Sequence, residues 1–347
     1  MSRRRLEAAI QAGKQIEQGT QWPSNLEKVD NIKQVSMRDI ERDGIYSLQF
    51  SYDGNTLAVG YGNSGIEILD ALTGNPVQEL RKSKYGGLPI GCLRFNPQQQ
   101  HILFAGGADG NVYSCNSQTG ECTEIISEKH NEINCLDFSM DSFSFATAGK
   151  DLDIRIYDTK TQELVTEYKG YHQYKPNPEE QGVGHAQRIF ALKFHPENDN
   201  IFITGGWDNH LKVWDKRSSD GVKRTIGGPH ICGDGLDVRG FQILTGSWTH
   251  HNALQIFDYS TGKLQQNIPF PDNGEGQYLY CAQFCENDVV IAGGSGTKSA
   301  KAINITTGEC LGEVKMSKAV QAMDSTKGGR LFAIGGGDTY LKIAGLA

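Results

Sequence analysis

Ile201-Phe202-Ile203-Thr204-Gly205-Gly206-Trp207-Asp208-Asn209-His210-Leu211-Lys212-Val213-Trp214-Asp215 reads as a short apolar strand, a glycine-bearing turn with an aspartate, a second strand and a closing Trp-Asp. Fainter copies end at Asp70, Asn116, Asp158, Asp258, Asn304 and Ala344, at intervals of 46, 42, 57, 43, 46 and 40 residues. A period in the forties constrains the fold more than any other feature of the chain. One such unit cannot bury its own apolar faces, so the units must pack side by side as a closed array of small antiparallel sheets.

Each unit opens with an alternating strand. These are Ile45 to Phe50, Ile90 to Phe95, Ile133 to Phe138, Ile189 to Phe194, a degenerate glycine-rich stretch from Ile231 to Val238, Leu279 to Phe284, and Val320 to Met323. Asp53-Gly54, Asn96-Pro97, Met140-Asp141 and His195-Pro196 follow as turn signals. A fourth strand is predicted after each Asp or Asn terminus, for example over Glu163 to Lys169 and Lys263 to Ile268. The seventh unit runs out of chain after its third strand, Tyr340 to Ile343, while a spare strand, Ile32 to Met37, precedes the first unit. Pairing that spare strand with the last unit would close the ring and remove two sheet edges. Residues 2–18 carry a thin apolar stripe, Leu6, Ile10, Gly13 and Ile16, which predicts a short helix ended by Gly19. The expected organisation is therefore an N-terminal helix and linker over 1–28 and a repeat domain over 29–347.

At 347 residues the chain is long for one domain, but a repeat array has no such limit because each unit adds its own interface. The 42 glycines fall largely in the recurring turns, such as Gly106-Gly107 and Gly335-Gly336-Gly337, and signal turns rather than disorder. A net charge of -7 argues against nucleic acid as a general partner, since that binding rests on phosphate neutralisation. The lysines of residues 295–347 read as a solvated face. The eight cysteines form no CxxC and sit in apolar runs, which predicts buried free thiols. No leader-type apolar region follows Met1 and no run is long enough to span a bilayer. An intracellular, cytoplasmic protein without membrane contact is expected, with the nucleus or a cytoskeletal or ciliary structure as further locations.

These features resemble the WD40-repeat family of seven-bladed β-propellers, over about residues 29–347. The family places a His before the inner strand, Ser or Thr on the second strand, Asp in the next turn and an aromatic on the third strand, as one hydrogen-bonded set within a blade. The fourth repeat matches with His185, Thr204, Asp208 and Trp214, and the third with His130, Thr147, Asp151 and Tyr157. In both, Thr and Asp are four apart and Asp and the aromatic six apart. The buried hydroxyl and indole need partners that a turn Asp and a His supply, so these residues are read as structural. The resemblance implies an all-β, seven-bladed propeller, closed by the N-terminal strand and preceded by the short helix.

The same resemblance implies that one face of the ring binds proteins or peptides. The 57-residue interval carries an insertion, Tyr171 to Gly184, rich in Tyr and Pro, which reads as a recognition loop. Its Tyr171, His172 and Tyr174 join Tyr61, Lys150, Trp207, Trp248, His250 and His251 from the turns as candidate partner-binding residues, because Trp and Tyr anchor interfaces. His250-His251 with His172 lack a further placed ligand, so no metal is expected. No GxSxG, HExxH or P-loop pattern occurs, and no cofactor or small-molecule ligand is expected. Gly293-Gly294-Ser295-Gly296-Thr297-Lys298 lies between strands with no following helix and reads as a propeller turn. The leading expectation is a non-enzymatic scaffold or adaptor. The alternative is a fixed subunit of a large cytoskeletal or ciliary assembly, docked partly by the N-terminal helix. Asp234 and Asp237 form the one carboxylate pair that would interest an enzyme reading.

Overall fold

The computed structural model describes residues 26–37, 43–172, 182–218 and 221–347. The expected helix over 2–18 and Tyr174 lie outside these residues. Strand β1 (Val29–Ser36) precedes the first blade, which is β2 (Ile45–Phe50), β3 (Thr56–Tyr61), β4 (Ile66–Asp70) and β5 (Pro76–Arg81). The second is β6 (Ile90–Phe95), β7 (Ile102–Gly107), β8 (Asn111–Asn116) and β9 (Cys122–Ser127), and the third β10 (Ile133–Phe138), β11 (Ser144–Gly149), β12 (Ile154–Asp158) and β13 (Leu164–Tyr168). The fourth is β14 (Ile189–His195), β15 (Asn198–Gly206), β16 (His210–Asp215) and β17 (Val222–Gly227). The fifth follows with β18 (Leu236–Arg239), β19 (Gln242–Gly246), β20 (Leu254–Asp258) and β21 (Leu264–Asn267), and the sixth with β22 (Leu279–Phe284), β23 (Val289–Gly294), β24 (Ser299–Asn304) and β25 (Cys310–Lys315). The last strands are β26 (Val320–Ser325), β27 (Leu331–Gly336) and β28 (Tyr340–Leu346).

Six sheets are four-stranded antiparallel meanders in chain order, and the seventh has the order β1-β28-β27-β26. This is an all-β, seven-bladed propeller. The outer strand of the seventh sheet is β1, which runs antiparallel to β28 from Val29 opposite Leu346 to Ser36 opposite Tyr340. Its register shifts once, between Asp30 and Lys33. Inner strands line the axis. Six of the seven, all but β18, carry a β-bulge near their start. A bulge leaves one residue unpaired and re-aims its side chain, here at the mouth of the central channel.

The core lies between blades rather than within them, which follows from sheets too small to bury their own faces. Blade four packs Phe202 and Trp214, stacked with ring centroids 5.8 Å apart, against Tyr168, Ala146 and Ala148 of blade three. Burying each such large apolar side chain is worth roughly 1.5–3 kcal/mol. Glycine has a second role here. A Cβ on Gly106 would meet Ile133 Cγ2 at 2.6 Å, one on Gly205 would meet Ile231 Cγ1 at 2.8 Å, and one on Gly335 would meet Ile45 Cγ2 at 2.8 Å. These glycines end the second strand of a blade where a β-branched residue of the next blade packs on it. The sequence reading assigned them to turns; the structure shows that they permit blade-to-blade contact.

One cysteine expectation is corrected. Cys115 and Cys122 stand opposite each other on β8 and β9 and are joined as a disulfide. The neighbouring-strand pairing places them together, which a linear scan for CxxC does not detect. The other six are free, and Cys92, Cys135, Cys281 and Cys285 are buried.

Candidate partner-binding face and channel

The hydrogen-bonded set of the fourth blade is complete. Trp214 Nε1–H donates to Thr204 Oγ1 at 2.8 Å, and Thr204 Oγ1 lies 2.7 Å from His185 Nε2. His185 Nδ1 lies 2.9 Å from Asp208 Oδ2, which also accepts the Ala186 N–H at 3.0 Å. The bonds run in one direction if His185 is neutral, protonated on Nδ1 and accepting from the Thr204 hydroxyl. Burial lowers the His185 pKa against the raising pull of Asp208. This chain of bonds fastens the β15–β16 turn to the start of β14.

The third blade solves the same problem with other residues. Thr147 Oγ1 donates to Glu128 Oε1, Tyr157 OH donates to the same oxygen at 3.0 Å, and Arg155 Nη1 reaches Glu128 Oε2 at 3.0 Å. Glu128 is buried. His130 is exposed, with a left-handed backbone (φ 72°), and is not part of the set. That assignment is corrected. Glu128 stands 19 residues before Thr147, as His185 stands 19 before Thr204, so matching the spacing rather than the residue type finds it. Asp151 binds Arg155 Nη2 at 2.7 Å instead of a histidine.

On the face that carries these turns, Trp207 is 38% exposed. Its ring stacks on Phe190 with centroids 5.0 Å apart, and Arg188 lies 5.7 Å over it. Trp248 is 40% exposed and packs against Tyr278 at 5.0 Å and His230 at 6.5 Å. His250 and His251 are exposed and contact each other, Nδ1 to Nε2 at 3.0 Å. Among the described residues no group of three or more His, Cys, Asp or Glu is arranged to hold a metal ion. Lys150 pairs with Glu132, whose other oxygen takes Arg188 at 2.7 Å. Tyr171 is exposed and His172 half-buried. The base of the insertion is pinned by Tyr171 N–H to His185 O at 2.8 Å and Gly184 N–H to Lys169 O at 3.0 Å. Tyr61 does not join this surface. It is 1% exposed and its hydroxyl donates to Glu67 at 2.8 Å, because the first blade folds this turn residue inward as a core side chain.

Sequence reasoning missed two rings of channel residues. The upper ring takes one residue per blade, two positions before the central apolar residue of each inner strand: Tyr46, Gly91, Asn134, Phe190, Asp234, Tyr280 and Gln321. The lower ring takes the residue just after that apolar position. In the lower ring, Gln49 accepts the Phe95 N–H, Asp137 the Phe194 N–H at 2.8 Å, Asp237 the Phe284 N–H at 2.8 Å and Asp324 the Phe50 N–H at 2.6 Å. Blades one, three, five and seven thus each hold the inner strand of the next. Arg94 and Lys193 occupy the same position in blades two and four. Arg94 Nη2 donates to Asp234 at 2.8 Å and Lys193 lies 3.5 Å from the other Asp234 oxygen. Burial raises the pKa of Asp137 and Asp237, and lifts Asp324 to about 6. Burial acts the same way on Asp234, but Arg94 and Lys193 outweigh it and lower its pKa. The recurrent polar residue before Phe50, Phe95, Phe138, Phe194 and Phe284 was the available sequence signal. Asp234 and Asp237, the odd carboxylates of the fifth blade, therefore belong to the two rings.

Comparison with known proteins agrees with this architecture. The WD domain, G-beta repeat family profile matches residues 120–158 and 178–215, the third and fourth blades with their approaches. The anaphase-promoting complex subunit 4 WD40 domain profile matches residues 25–98. The chain is 26% identical over 248 residues to "Anaphase-promoting complex subunit cdc20" of Dictyostelium discoideum, covering 70% of this chain and 43% of the relative. It is 22% identical over 245 residues to "WD repeat-containing protein slp1" of Schizosaccharomyces pombe, covering 69% and 45%. A further match, 29% identical over 117 residues and 34% of each chain, is "Target of rapamycin complex subunit LST8" of Saccharomyces cerevisiae. The chain spans about half the length of the first two relatives. With seven four-stranded blades, the buried His–Thr–Asp–Trp set and these matches, the chain is a seven-bladed β-propeller that carries WD40 repeats.

Proposed function

We propose that this protein is a non-enzymatic adaptor that holds a protein or peptide partner on the face around Trp207 and Trp248. The observation that carries the reading is the pair of half-exposed tryptophans on adjacent blades, Trp207 stacked on Phe190 of the channel mouth and Trp248 tilted against Tyr278. Such anchors within a polar rim dominate binding energy at interfaces. Rigid blades hold them, so little ordering entropy opposes binding. Tyr171, His172, Lys150, His250 and His251 would supply the rim. The printed names of the relatives place two of them in anaphase-promoting and target-of-rapamycin complexes. Membership of different complexes supports an adaptor role in general.

The propeller over 29–347 would be the platform, closed by β1 on β28, with Leu26 buried in its core and the Glu27 and Lys28 N–H groups donating to Ala347 O, and the residues before these would be a tether. An intracellular, cytoplasmic setting fits this reading, and imaging of a fluorescent fusion checks it. The function is tested by proximity labelling to identify partners, followed by recovery of those partners with wild type and a Trp207→Ala/Trp248→Ala double variant. The proposal expects recovery to fall while circular dichroism and melting stay near wild type. Unchanged recovery with a folded variant rejects the assigned face.

A further inference from the structure

We propose that the N-terminal segment of this chain, residues 2–18, docks in cis on the face of the propeller opposite Trp207, over Phe241 and Phe143. This surface is separate from the adaptor face, and the tether would lie along its own propeller. In an antiparallel meander the first and third turns of a blade lie at the opposite end from the second turn, which carries Trp207 in the fourth blade. On that far end every blade repeats one backbone bond. A carbonyl at the start of the second strand accepts an N–H at the end of the third. The carbonyl belongs to Asn55, His101, Asn200, Asp288 and Arg330 in five blades, and to Phe143 and Phe241 in the third and fifth. The two phenylalanines are 74% and 71% exposed. Met140 and Leu164 in the third blade and Leu264 in the fifth are exposed on the same edge and enlarge each apolar spot. Clustered exposed apolar side chains mark contact surfaces. The turns that carry them are braced by the fourth blade. Asp141 N–H donates to Asp199 at 3.0 Å, Lys216 Nζ donates to Ser144 Oγ at 3.2 Å, and His195 Nε2 lies 3.0 Å from Gly240 O.

The route of the chain selects the occupant. Glu27 N–H donates to Ala347 O, and Leu346 N–H donates to Arg330 O, so the chain enters the seventh blade beside the Arg330 turn, on this same face. Leu26 belongs to the buried cluster that holds Cys285, and Arg239, two residues from Phe241, donates to the Cys285 carbonyl at 3.3 Å. Residues 19–25 reach about 23 Å when extended, at roughly 3.3 Å per residue, and a helix over 2–18 covers about 25 Å. The linker therefore brings the predicted helix onto the fifth blade. Its stripe of Leu6, Ile10 and Ile16 would face the rings, with Ile16 nearest Phe241 and Leu6 toward Phe143. A stripe this thin is marginal as a free helix, and the exposed rings supply the apolar surface that it lacks. Charge favours the same occupant. The first turns of blades one to six hold Asp53, Asp141, Glu197, Asp199, Glu286 and Asp288 and no Lys or Arg. Arg239 offsets Asp288 at 3.5 Å, and Lys327 and Arg330 lie in the seventh blade. Arg3, Arg4 and Arg5, which precede Leu6, complement the acids of the third and fourth blades.

The test puts a photo-crosslinker on this face of the full chain. Phe241→p-benzoylphenylalanine keeps an exposed aromatic ring. Tyr85→p-benzoylphenylalanine, at a residue 99% exposed on the Trp207 side, is the control. Irradiation, digestion and mass spectrometry should place the Phe241 adducts within residues 2–18 of the same chain, with none there from Tyr85. In the unlabelled protein, tryptic cleavage after Lys14 should be at least about 10-fold slower in wild type than in Phe143→Ser/Phe241→Ser, because cleavage tracks the undocked fraction. The serines match the polar residues of the other blades, so melting should stay near wild type. Adducts that join two copies, adducts outside 2–18, no adduct, or equal cleavage rates in the two folded proteins would each overturn the docking. Partner recovery with Trp207→Ala/Trp248→Ala bears on the other face alone.

Discussion

Blades three and four fold the same chain pattern around different polar cores. Blade four uses a neutral relay from Trp214 through Thr204 and His185 to Asp208. Blade three uses an ionic cluster, with Glu128 receiving Thr147, Tyr157 and Arg155, and Arg155 also bound to Asp151 and Glu167. The fold therefore requires that a buried hydroxyl and a buried aromatic donor be satisfied; it does not require a particular residue to do so. The two solutions differ in what can break them. A neutral relay fails when its histidine is protonated, and an ionic cluster fails when one charge is removed and its partner is left buried.

The largest expected effect is in blade four. Trp214→Ala removes a fully buried ring stacked on Phe202 and leaves the Thr204 set incomplete; denaturant unfolding should show a loss of about 3–5 kcal/mol. In blade three, Glu128→Ala should cost about 2–4 kcal/mol, because Arg155 keeps other carboxylates. Glu128→His sharpens the comparison. It restores a partner for Thr147 and Tyr157, so it should melt above Glu128→Ala. A Glu128→His protein that melts no higher than Glu128→Ala would show that the two blades are not interchangeable solutions.

The pH response differs in sign between His185 and the channel. The folded-state pKa of His185 lies below its ordinary 6.5, so its contribution is present above that pH and is lost as pH falls below it. Protection of the Thr204 and Gly205 amides against hydrogen exchange, corrected for the intrinsic rate, should weaken as pH falls below 6.5, while Thr147 in blade three, whose set contains no histidine, lacks this step. Asp324 has a folded-state pKa raised to about 6, so it favours the folded state below 3.8 and that contribution is lost as pH rises through about 6. Asp324→Asn keeps an acceptor for the Phe50 N–H. It should raise the melting temperature at pH 8 and leave it unchanged near pH 4. The smallest effect is Tyr61→Phe, which removes the bond to Glu67 for about 1 kcal/mol and should leave partner recovery unaltered.

The architecture was legible because it rests on periodicity. The intervals between Asp70, Asn116, Asp158, Asp215, Asp258 and Asn304 follow from the need to stack small sheets, and the observed inner strands fall close to the predicted positions. What was not legible depends on which residues meet across blades. Tyr61 occupies a turn position like Trp207, yet one is buried and the other half-exposed: the Tyr61 hydroxyl turns inward to Glu67, whereas the Trp207 ring lies over Phe190 at the surface. His130 fits the family pattern by residue type, whereas the 19-residue spacing points to Glu128. The glycines at the ends of the second strands were read as turn formers because their contacts, with Ile90, Ile133, Ile231 and Ile45, are all to the next blade. The two channel rings were missed for the same reason: each contributes one residue per repeat, and their chemistry emerges when seven are brought together.

In the proposed division of labour, the face bearing Trp207 and Trp248 holds the partner while the polar sets beneath hold the face. The most direct measurement is the affinity of an identified partner for the purified chain, compared between wild type and Trp207→Ala/Trp248→Ala by calorimetry, with melting recorded for both. The proposed face should lose at least about 2 kcal/mol, some 30-fold in Kd, with little change in melting temperature. An affinity within about two-fold of wild type in a folded double variant would contradict it.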